Sequence, residues 1–236
     1  MVRVFSLKGK WHEQNGESNQ DIVSSGSNER FSVITLADGV STCKKGRKGA
    51  QIACKTTKEM MLRNGEYISG CSGAELANDI VLNVTYEIQK QAELDKIEPE
   101  EYSSTLSSVM YDNLLNTLTI FSVGDGIIFG VGRNGFRVLA MPSDSREGTC
   151  VTTTRGASRQ AVARTISRDG IDSVWICSDG AWRMMFKSGI MKREFADLIA
   201  SKDYRGLKEL FIEHHGNDDM SFIMLDVAGR KRRIMA

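Results

Sequence analysis

The chain has 236 residues with nearly equal numbers of basic and acidic side chains, 31 and 30, and its net charge of +1 argues against a general nucleic-acid or membrane surface. An apolar fraction of 41% is typical of a soluble globular protein that buries a core without disulfides. The five cysteines contain no C-x-x-C pair, which argues against a zinc knuckle or a disulfide framework and favours a reducing cytoplasm.

No targeting or membrane segment is recognisable in the sequence. The first residues lack the apolar region of a signal peptide, and no stretch approaches the ~18 apolar residues of a membrane span. Residues 229–236, GRKRRIMA, form a basic tail that we interpret as a solvated terminus, with a weak anionic contact as the alternative. We expect a cytoplasmic protein with one domain over residues 1–228 and this short tail.

The first part of the chain predicts three strands followed by two helices. The strands are expected at residues 2–7, 22–25 and 31–36. The first helix is indicated by residues that share one helical face, namely Ala50, Ala53, Cys54, Thr57 and Met61. The second is indicated by a spacing of four, with Leu76, Ile80, Val84 and Ile88 in register. Ser72 and Glu75 have capping-box spacing at its start.

The middle of the chain predicts strands alone, at residues 104–111, 115–123, 127–132 and 136–141. The turns between them are very short, and Asn134-Gly135 is a strong hairpin signal, so we expect antiparallel neighbours. Residues 142–155 are polar and irregular, and are interpreted as a loop over a site.

The last part predicts a short helix within residues 158–166, a strand that ends at Asp179, helices at 192–201 and 203–214, and a final strand at 221–227. About ten strands therefore come in runs that paired helices interrupt. This order predicts an α+β fold in which two antiparallel β-sheets pack as a sandwich and α-helices flank them.

Acidic residues stand at the ends of several predicted strands. Asp38-Gly39, Asp125-Gly126 and Asp179-Gly180 each follow an apolar run. Asp21 and the pair Asp218-Asp219 precede one. Any one of these is more often a turn than a ligand, but five together indicate a hard, oxygen-preferring cation such as magnesium or manganese.

Six motifs then resemble, in sequence order, those of the protein phosphatase 2C family, and most closely its compact bacterial branch. They are GKWHEQNGESNQD, LADGVSTCKKGRKGA, SSTL, FSVGDGIIFGV, ICSDGAW and NDDMSFIML, and the resemblance covers about residues 4 to 227. The family consists of metal-dependent serine/threonine phosphatases. The resemblance implies a phosphorylated protein substrate, a cognate serine/threonine kinase, and a sandwich of the kind described above.

The resemblance also implies a two-metal centre holding Mn²⁺ or Mg²⁺. Asp38 matches the aspartate that bridges both metals, and the carbonyl of Gly39 matches a backbone ligand. Asp179 and Asp218 match the carboxylates of one metal, and Asp21 matches the carboxylate beside the bridging water. In some members, the two aspartates that Asp125 and Asp179 match hold a weaker third ion.

The implied reaction is an in-line attack on phosphorus by a water that two divalent ions activate, without a phosphoenzyme. His12 is a candidate proton donor to the leaving oxygen, and a surface histidine is the equally weighted alternative. Gly16 stands where many members have a phosphate-binding arginine, which leaves Lys8, Lys10 or Arg155 as anchors.

Two choices stay open at this point. A catalytically inactive regulatory or binding module, or a phosphohydrolase of small molecules, fits the same fold, although inactive relatives usually lose metal aspartates and all are present here. Within NDDMS, the family register gives the ligand position to Asp218 and predicts that Asp219 mainly hydrogen-bonds nearby backbone.

Overall fold

Two five-stranded antiparallel sheets form the centre of the computed structural model, which describes residues 1–145 and 148–228. The basic tail, 229–236, lies outside the described residues. The strands are β1 Val2–Leu7, β2 Asp21–Ser27, β3 Phe31–Asp38, β4 Leu106–Asp112, β5 Thr117–Val123, β6 Ile127–Gly132, β7 Gly135–Ala140, β8 Asp144–Ser145, β9 Gly148–Thr149, β10 Val162–Ser167, β11 Ser173–Cys177, β12 Phe186–Lys187, β13 Ile190–Met191 and β14 Met220–Asp226.

Helices lie between these strands and cover the sheets. They are α1 Lys10–Gln14, α2 Gly46–Arg63, α3 Gly65–Gly70, α4 Gly73–Asp95, α5 Ala157–Gln160, α6 Asp179–Met185, α7 Arg193–Ala200 and α8 Tyr204–Glu213. A 3-10 turn, Pro99–Tyr102, follows α4. The predicted capping box of Ser72 and Glu75 is present at the start of α4. Of the helices in the described ranges, none is both long enough and apolar enough to cross a membrane.

Successive side chains of each strand point to opposite faces of its sheet, one toward the other sheet and the next toward the outside. One sheet has the order β1-β14-β11-β6-β7, and the other has the order β10-β5-β4-β3-β2. Between the sheets lie mainly aliphatic side chains, among them Ile34, Val109, Ile120, Ile128, Ile176 and Ile223. The opposite face of each sheet packs on helices: β3 and β4 against α2 and α4, and β11 and β14 against α6 to α8. The predicted α+β sandwich is confirmed.

Two details of the prediction are wrong. Strands β5 and β6 are not neighbours, because the turn at Gly124 (φ +111°) carries the chain from one sheet to the other. Most of the segment predicted as a helix at 158–166 forms the edge strand β10, which pairs with β5 along its whole length. Its β-branched residues Val162, Thr165 and Ile166 suit a pleated edge, and only α5 before it is helical.

Candidate functional site

Antiparallel pairing brings many strand termini to one edge of the sandwich. Strands β1, β3, β5 and β11 end there, and β2, β6 and β14 begin there. In register, Asp21 lies opposite Asp38. The carboxylates predicted from separate parts of the sequence therefore meet at this edge, around a cavity of about 420 Å³.

Asp38 and Asp21 come from the paired ends of β3 and β2. The Asp38 backbone is fixed on both sides by Thr105, whose N–H donates to the Asp38 carbonyl at 2.8 Å and whose Oγ1 accepts from the Asp38 N–H at 3.0 Å. Asp21 is only 5% exposed; its Oδ2 accepts from Ser178 Oγ at 2.9 Å, while its Oδ1 is buried without a hydrogen-bond partner. Asp38 therefore lines the cavity, and Asp21 lies buried opposite it.

Asp179 and Asp218 come from the opposite sheet, where β11 ends and β14 is about to begin. Gly180 follows Asp179 and lets the two segments touch, because a Cβ atom there would lie 2.3 Å from the Asp219 carbonyl oxygen. Gly39 serves the same purpose on the other side, where a Cβ atom would lie 2.3 Å from the carbonyl carbon of Gly46 in α2. Both glycines of the Asp-Gly motifs are thus explained by close backbone approach.

Asp125 lies where the chain crosses between the two sheets. Its Oδ2 accepts from Thr149 Oγ1 at 3.1 Å, and its carbonyl accepts from Trp182 Nε1 in α6 at 2.7 Å. Thr149 and Val151 line the cavity, so the end of the segment predicted as a loop over the site does reach it. Residues 146 and 147 of that segment lie outside the described residues.

The carboxylates of the site are held in an environment that disfavours their charge. Burial, opposed by hydrogen bonds from Ser221 and Ser178, raises the pKa of Asp21 to about 7. Burial, followed by repulsion from Asp21 and Asp179, raises the pKa of Asp38 well above its usual value. Burial and repulsion from Asp125 raise the pKa of Asp179 to about 6. A cation bound among them would remove this penalty.

His12 lies in α1 and lines the same cavity. The alternative of a surface histidine is wrong, because His12 is only 5% exposed. Its Nδ1 lies 3.0 Å from Oδ1 of Asp219, although neither ring nitrogen makes a hydrogen bond of good geometry. Its Nε2 lies 3.8 Å from Oε2 of Glu17, at the rim.

The two neighbouring aspartates before β14 have different surroundings. Oδ1 of Asp219 accepts from the Gly9 N–H at 2.6 Å, and its Oδ2 accepts from the Gln20 N–H at 2.5 Å. The prediction that Asp219 bonds to nearby backbone is therefore confirmed. Asp218 lines the cavity, and its carboxylate has none of the hydrogen bonds or ion pairs found among the described residues. Its role as a metal ligand stays a prediction.

The suggested phosphate anchors do not line the cavity. Lys8, Lys10 and Arg155 are all absent from its walls, and Arg155 instead lines a separate surface depression beside α5. Among the described residues, a cation that the sequence did not single out lies beside two of the site's carboxylates, namely Arg183 of α6. Its Nη1 lies 2.8 Å from Oδ2 of Asp179. The signal was available, because Arg183 stands one helical turn after Asp179.

Among the described residues, no group of three or more His, Cys, Asp or Glu side chains is arranged to hold a metal ion as it stands. The donor set nevertheless fits a hard cation. Its side chains offer carboxylate oxygens, and one of these, Oδ1 of Asp21, is buried without a hydrogen-bond partner. Cys43 and His12 are the cysteine and the histidine among the described lining residues, so oxygen donors dominate, as a hard cation prefers. Repulsion between like charges favours separated carboxylates until a cation binds.

Solved structures with the same fold include bacterial phosphatases. A bacterial serine phosphatase is 15% identical and matches with a TM-score of 0.71, covering 98% of this chain and 99% of that chain. Stp1, a serine/threonine phosphatase from Staphylococcus aureus, is 14% identical with a TM-score of 0.71, covering 97% and 95%. RsbX in complex with magnesium is 12% identical with a TM-score of 0.59, covering 94% and 92%.

At these identities, the structural matches establish the fold. Among curated proteins, no sequence matches the chain significantly. The family model described as protein phosphatase 2C, in contrast, matches residues 8–211, which is most of the chain. The matched range includes His12 in α1 and the strand-end residues Asp21, Asp38, Asp125 and Asp179, and it ends before Asp218. The chain belongs to the protein phosphatase 2C family.

Proposed function

We propose that the protein is a metal-dependent phosphatase that hydrolyses phosphoserine and phosphothreonine in proteins. One observation carries the proposal: carboxylates from four separate strand ends line one cavity, a fifth, Asp21, is buried opposite Asp38, and the pKa values of Asp21, Asp38 and Asp179 are raised. Such clustering destabilises the folded chain unless a cation binds among the carboxylates. Family membership supports phosphate ester hydrolysis as the reaction.

In this proposal the centre holds two Mn²⁺ or Mg²⁺ ions. The carboxylates of Asp38, Asp179 and Asp218 and the carbonyl of Gly39 would hold the ions, and Asp21 would stand beside them. When bound, two divalent ions lower the pKa of a shared water and neutralise charge on the phosphoryl group. The relative RsbX is described with magnesium, which supports a divalent ion in this fold.

The chain's own residues would position the ions and move protons. Ser178 links the two sheets at the centre, because its Oγ donates to Asp21 and accepts from the Ser221 N–H, each at 2.9 Å. His12 lines the cavity with its Nδ1 turned toward Asp219. We propose that this contact orients the imidazole ring and that His12 donates a proton to the departing serine or threonine oxygen.

The partner of such an enzyme is a phosphorylated protein, and the kinase that phosphorylates it is a second expected partner. The five cysteines are all free, as expected for a reducing compartment such as the cytoplasm. A regulatory module without activity, and a hydrolase of small phosphate esters, are the competing functions. The complete carboxylate set favours activity over the regulatory alternative, because a pure binding module has no need of it.

The test is phosphate release from phosphoserine and phosphothreonine peptides, nucleotides and p-nitrophenyl phosphate, with Mn²⁺, with Mg²⁺ and with chelator. We expect metal-dependent release from the peptides that Asp179→Asn abolishes. The matched control is Asp197→Asn on α7, where the side chain is 71% exposed and, among the described residues, forms its ion pair with Arg193 on its own helix. Release from nucleotides alone would favour the small-molecule enzyme, and no release from any substrate would favour the regulatory module.

A further inference from the structure

The guanidinium of Arg183 lies beside two carboxylates of the cavity wall, those of Asp179 and Asp125. Its Nη1 is 2.8 Å from Oδ2 of Asp179, and its Nη2 is 4.0 Å from Oδ2 of Asp125. The Arg183 side chain is 49% exposed, whereas each aspartate side chain is 15% exposed. The cation therefore approaches the pair of carboxylates from the solvent side.

Helix α6 is fixed in a way that keeps Arg183 at this position. The residue before it, Trp182, donates its Nε1–H to the Asp125 carbonyl at 2.7 Å. Arg183 stands one turn after Asp179, so it faces the first residue of its own helix. Helix α6 thus brings Arg183 to both carboxylates at once, although Asp125 is 58 positions away in sequence.

The charges of the site can be counted on this basis. Asp21, Asp38, Asp179 and Asp218 carry four negative charges when ionised, which equals the charge of two divalent ions. Asp219 also lines the cavity, but both of its oxygens already accept hydrogen bonds, from the N–H groups of Gly9 and Gln20, and it lies beside His12. Asp125 is the remaining carboxylate in the cavity wall. Arg183, with its guanidinium 2.8 Å from Asp179 and 4.0 Å from Asp125, supplies one positive charge beside it.

We propose that Arg183 is a built-in cation that neutralises Asp125 together with Asp179, so that the centre binds two divalent ions and excludes a third. The inference rests on the proposed two-ion function. A third divalent ion between Asp125 and Asp179 would have to displace the guanidinium or lie beside it, and like charges repel strongly in a partly buried site.

An ordinary helix-stabilising ion pair is the alternative explanation, since Arg183 and Asp179 have i,i+4 spacing. Arg205 and Glu209 on α8 form such a pair, with Nε 2.9 Å from Oε1 and side chains 90% and 63% exposed. That pair lies away from the cavity and contacts no further carboxylate among the described residues. Arg205→Ala is therefore the matched control for Arg183→Ala.

The test is equilibrium dialysis of the full chain against Mn²⁺ up to millimolar concentration, with bound manganese counted per chain. Weak sites built from few charges have dissociation constants of about 10⁻⁴–10⁻³ M, so an added site is detectable in this range. The variants are Arg183→Ala, Arg183→Lys, Arg205→Ala and the double variant Arg183→Ala with Asp125→Asn. Circular dichroism spectra establish that each variant is folded.

We expect two bound ions in the wild type, in Arg183→Lys and in Arg205→Ala, and a third, weak ion in Arg183→Ala that disappears when Asp125→Asn is added. Three ions in the wild type, or two in Arg183→Ala, would overturn the role of Arg183 and leave the two-ion function standing. Absence of bound ions in the wild type would overturn the two-ion function, and the inference with it.

Discussion

Two buried aspartates at opposite ends of the sandwich differ in what neutralises them. Asp112, at the end of β4, is 1% exposed and accepts from Nε and Nη2 of Arg30 and from the N–H groups of Leu114 and Leu115. Asp21, at the start of β2, is 5% exposed, and its hydrogen bonds come from the uncharged side chains of Ser178 and Ser221. Among the described residues, no basic side chain forms an ion pair with it.

The pKa values of these two groups shift in opposite directions for this reason. Burial alone would raise the pKa of Asp112, but the hydrogen bonds and charge of Arg30, with the two backbone donors, hold it below its usual value. Burial, opposed by hydrogen bonds from Ser221 and Ser178 and aided by repulsion from Asp219 and Asp179, raises the pKa of Asp21 to about 7. A buried carboxylate with its own cation stabilises the fold, whereas one without a cation indicates a place for an external one.

The largest expected effect is at Asp218, which we propose as a ligand. Asp218→Asn removes a charge from the centre, and we expect phosphatase activity at modest Mn²⁺ concentration to fall by about 10³–10⁴-fold, as for the loss of several kcal/mol of metal assistance. Asp219→Asn should leave the manganese dependence of the activity unchanged, because the oxygens of Asp219 accept from the N–H groups of Gly9 and Gln20; a fall in its maximal rate would reflect its contact with His12. Manganese titrations of the two variants side by side provide the measurement, and the reverse ranking would refute the ligand assignment.

The next effect concerns His12, the histidine that lines the site cavity. As a proton donor, its loss in His12→Ala should cost about 10²–10⁴-fold on a phosphoserine peptide, whose leaving group is poor. The loss on p-nitrophenyl phosphate should be much smaller, because that group leaves without a proton. His214→Ala is the control, since His214 is exposed at the end of α8. Equal losses on both substrates would exclude the donor role.

A smaller effect, on stability, is expected at Asp112, at the end of the sandwich opposite the cavity. Asp112→Asn leaves Arg30 without its buried charged partner, and we expect the free energy of unfolding to fall by about 2–3 kcal/mol. Activity per folded molecule should stay unchanged, because Asp112 lies at the edge opposite the cavity. Urea denaturation and phosphate release, measured on the same preparation, check both parts. A loss of activity without a loss of stability would contradict the contrast between the two ends.

The smallest effect is a pH dependence of stability in the metal-free protein. Asp21 has a pKa raised to about 7, so the folded state binds more protons than the unfolded state between about pH 4 and 7. Its contribution therefore makes unfolding easier as the pH rises through this range, by at most about 1.4 kcal/mol per pH unit. Urea denaturation with chelator at pH 5 and pH 7 should show a smaller decrease in Asp21→Asn than in the wild type. An identical decrease in both would contradict the raised pKa.

The sequence predicts much of the sandwich because nearly continuous apolar runs, such as those of β3 and β14, indicate strands that are buried on both faces. It also predicts the strand-end aspartates, since each follows or precedes an apolar run. It does not predict that β5 and β6 belong to different sheets, because a short turn normally joins neighbours and only the positive φ of Gly124 redirects the chain.

The contrast between the two ends of the molecule could not be predicted either. Arg30 and Asp112 are 82 positions apart, and their pairing depends on the register of β3 with β4. The burial of His12 likewise depends on α1 packing beside Gly9 and Asp219, far apart in the chain. Local sequence shows which groups carry charge, whereas tertiary packing decides which of them have a partner.

The most direct test of the account is a calorimetric titration of the metal-free protein with Mn²⁺, comparing the wild type with Asp38→Asn and Asp112→Asn. We expect two ions bound per chain in the wild type and in Asp112→Asn. In Asp38→Asn we expect affinity weakened by at least about 100-fold, because the remaining oxygens cannot neutralise two divalent ions. Unchanged stoichiometry and affinity in Asp38→Asn would contradict the claim that the strand-end carboxylates form a metal centre.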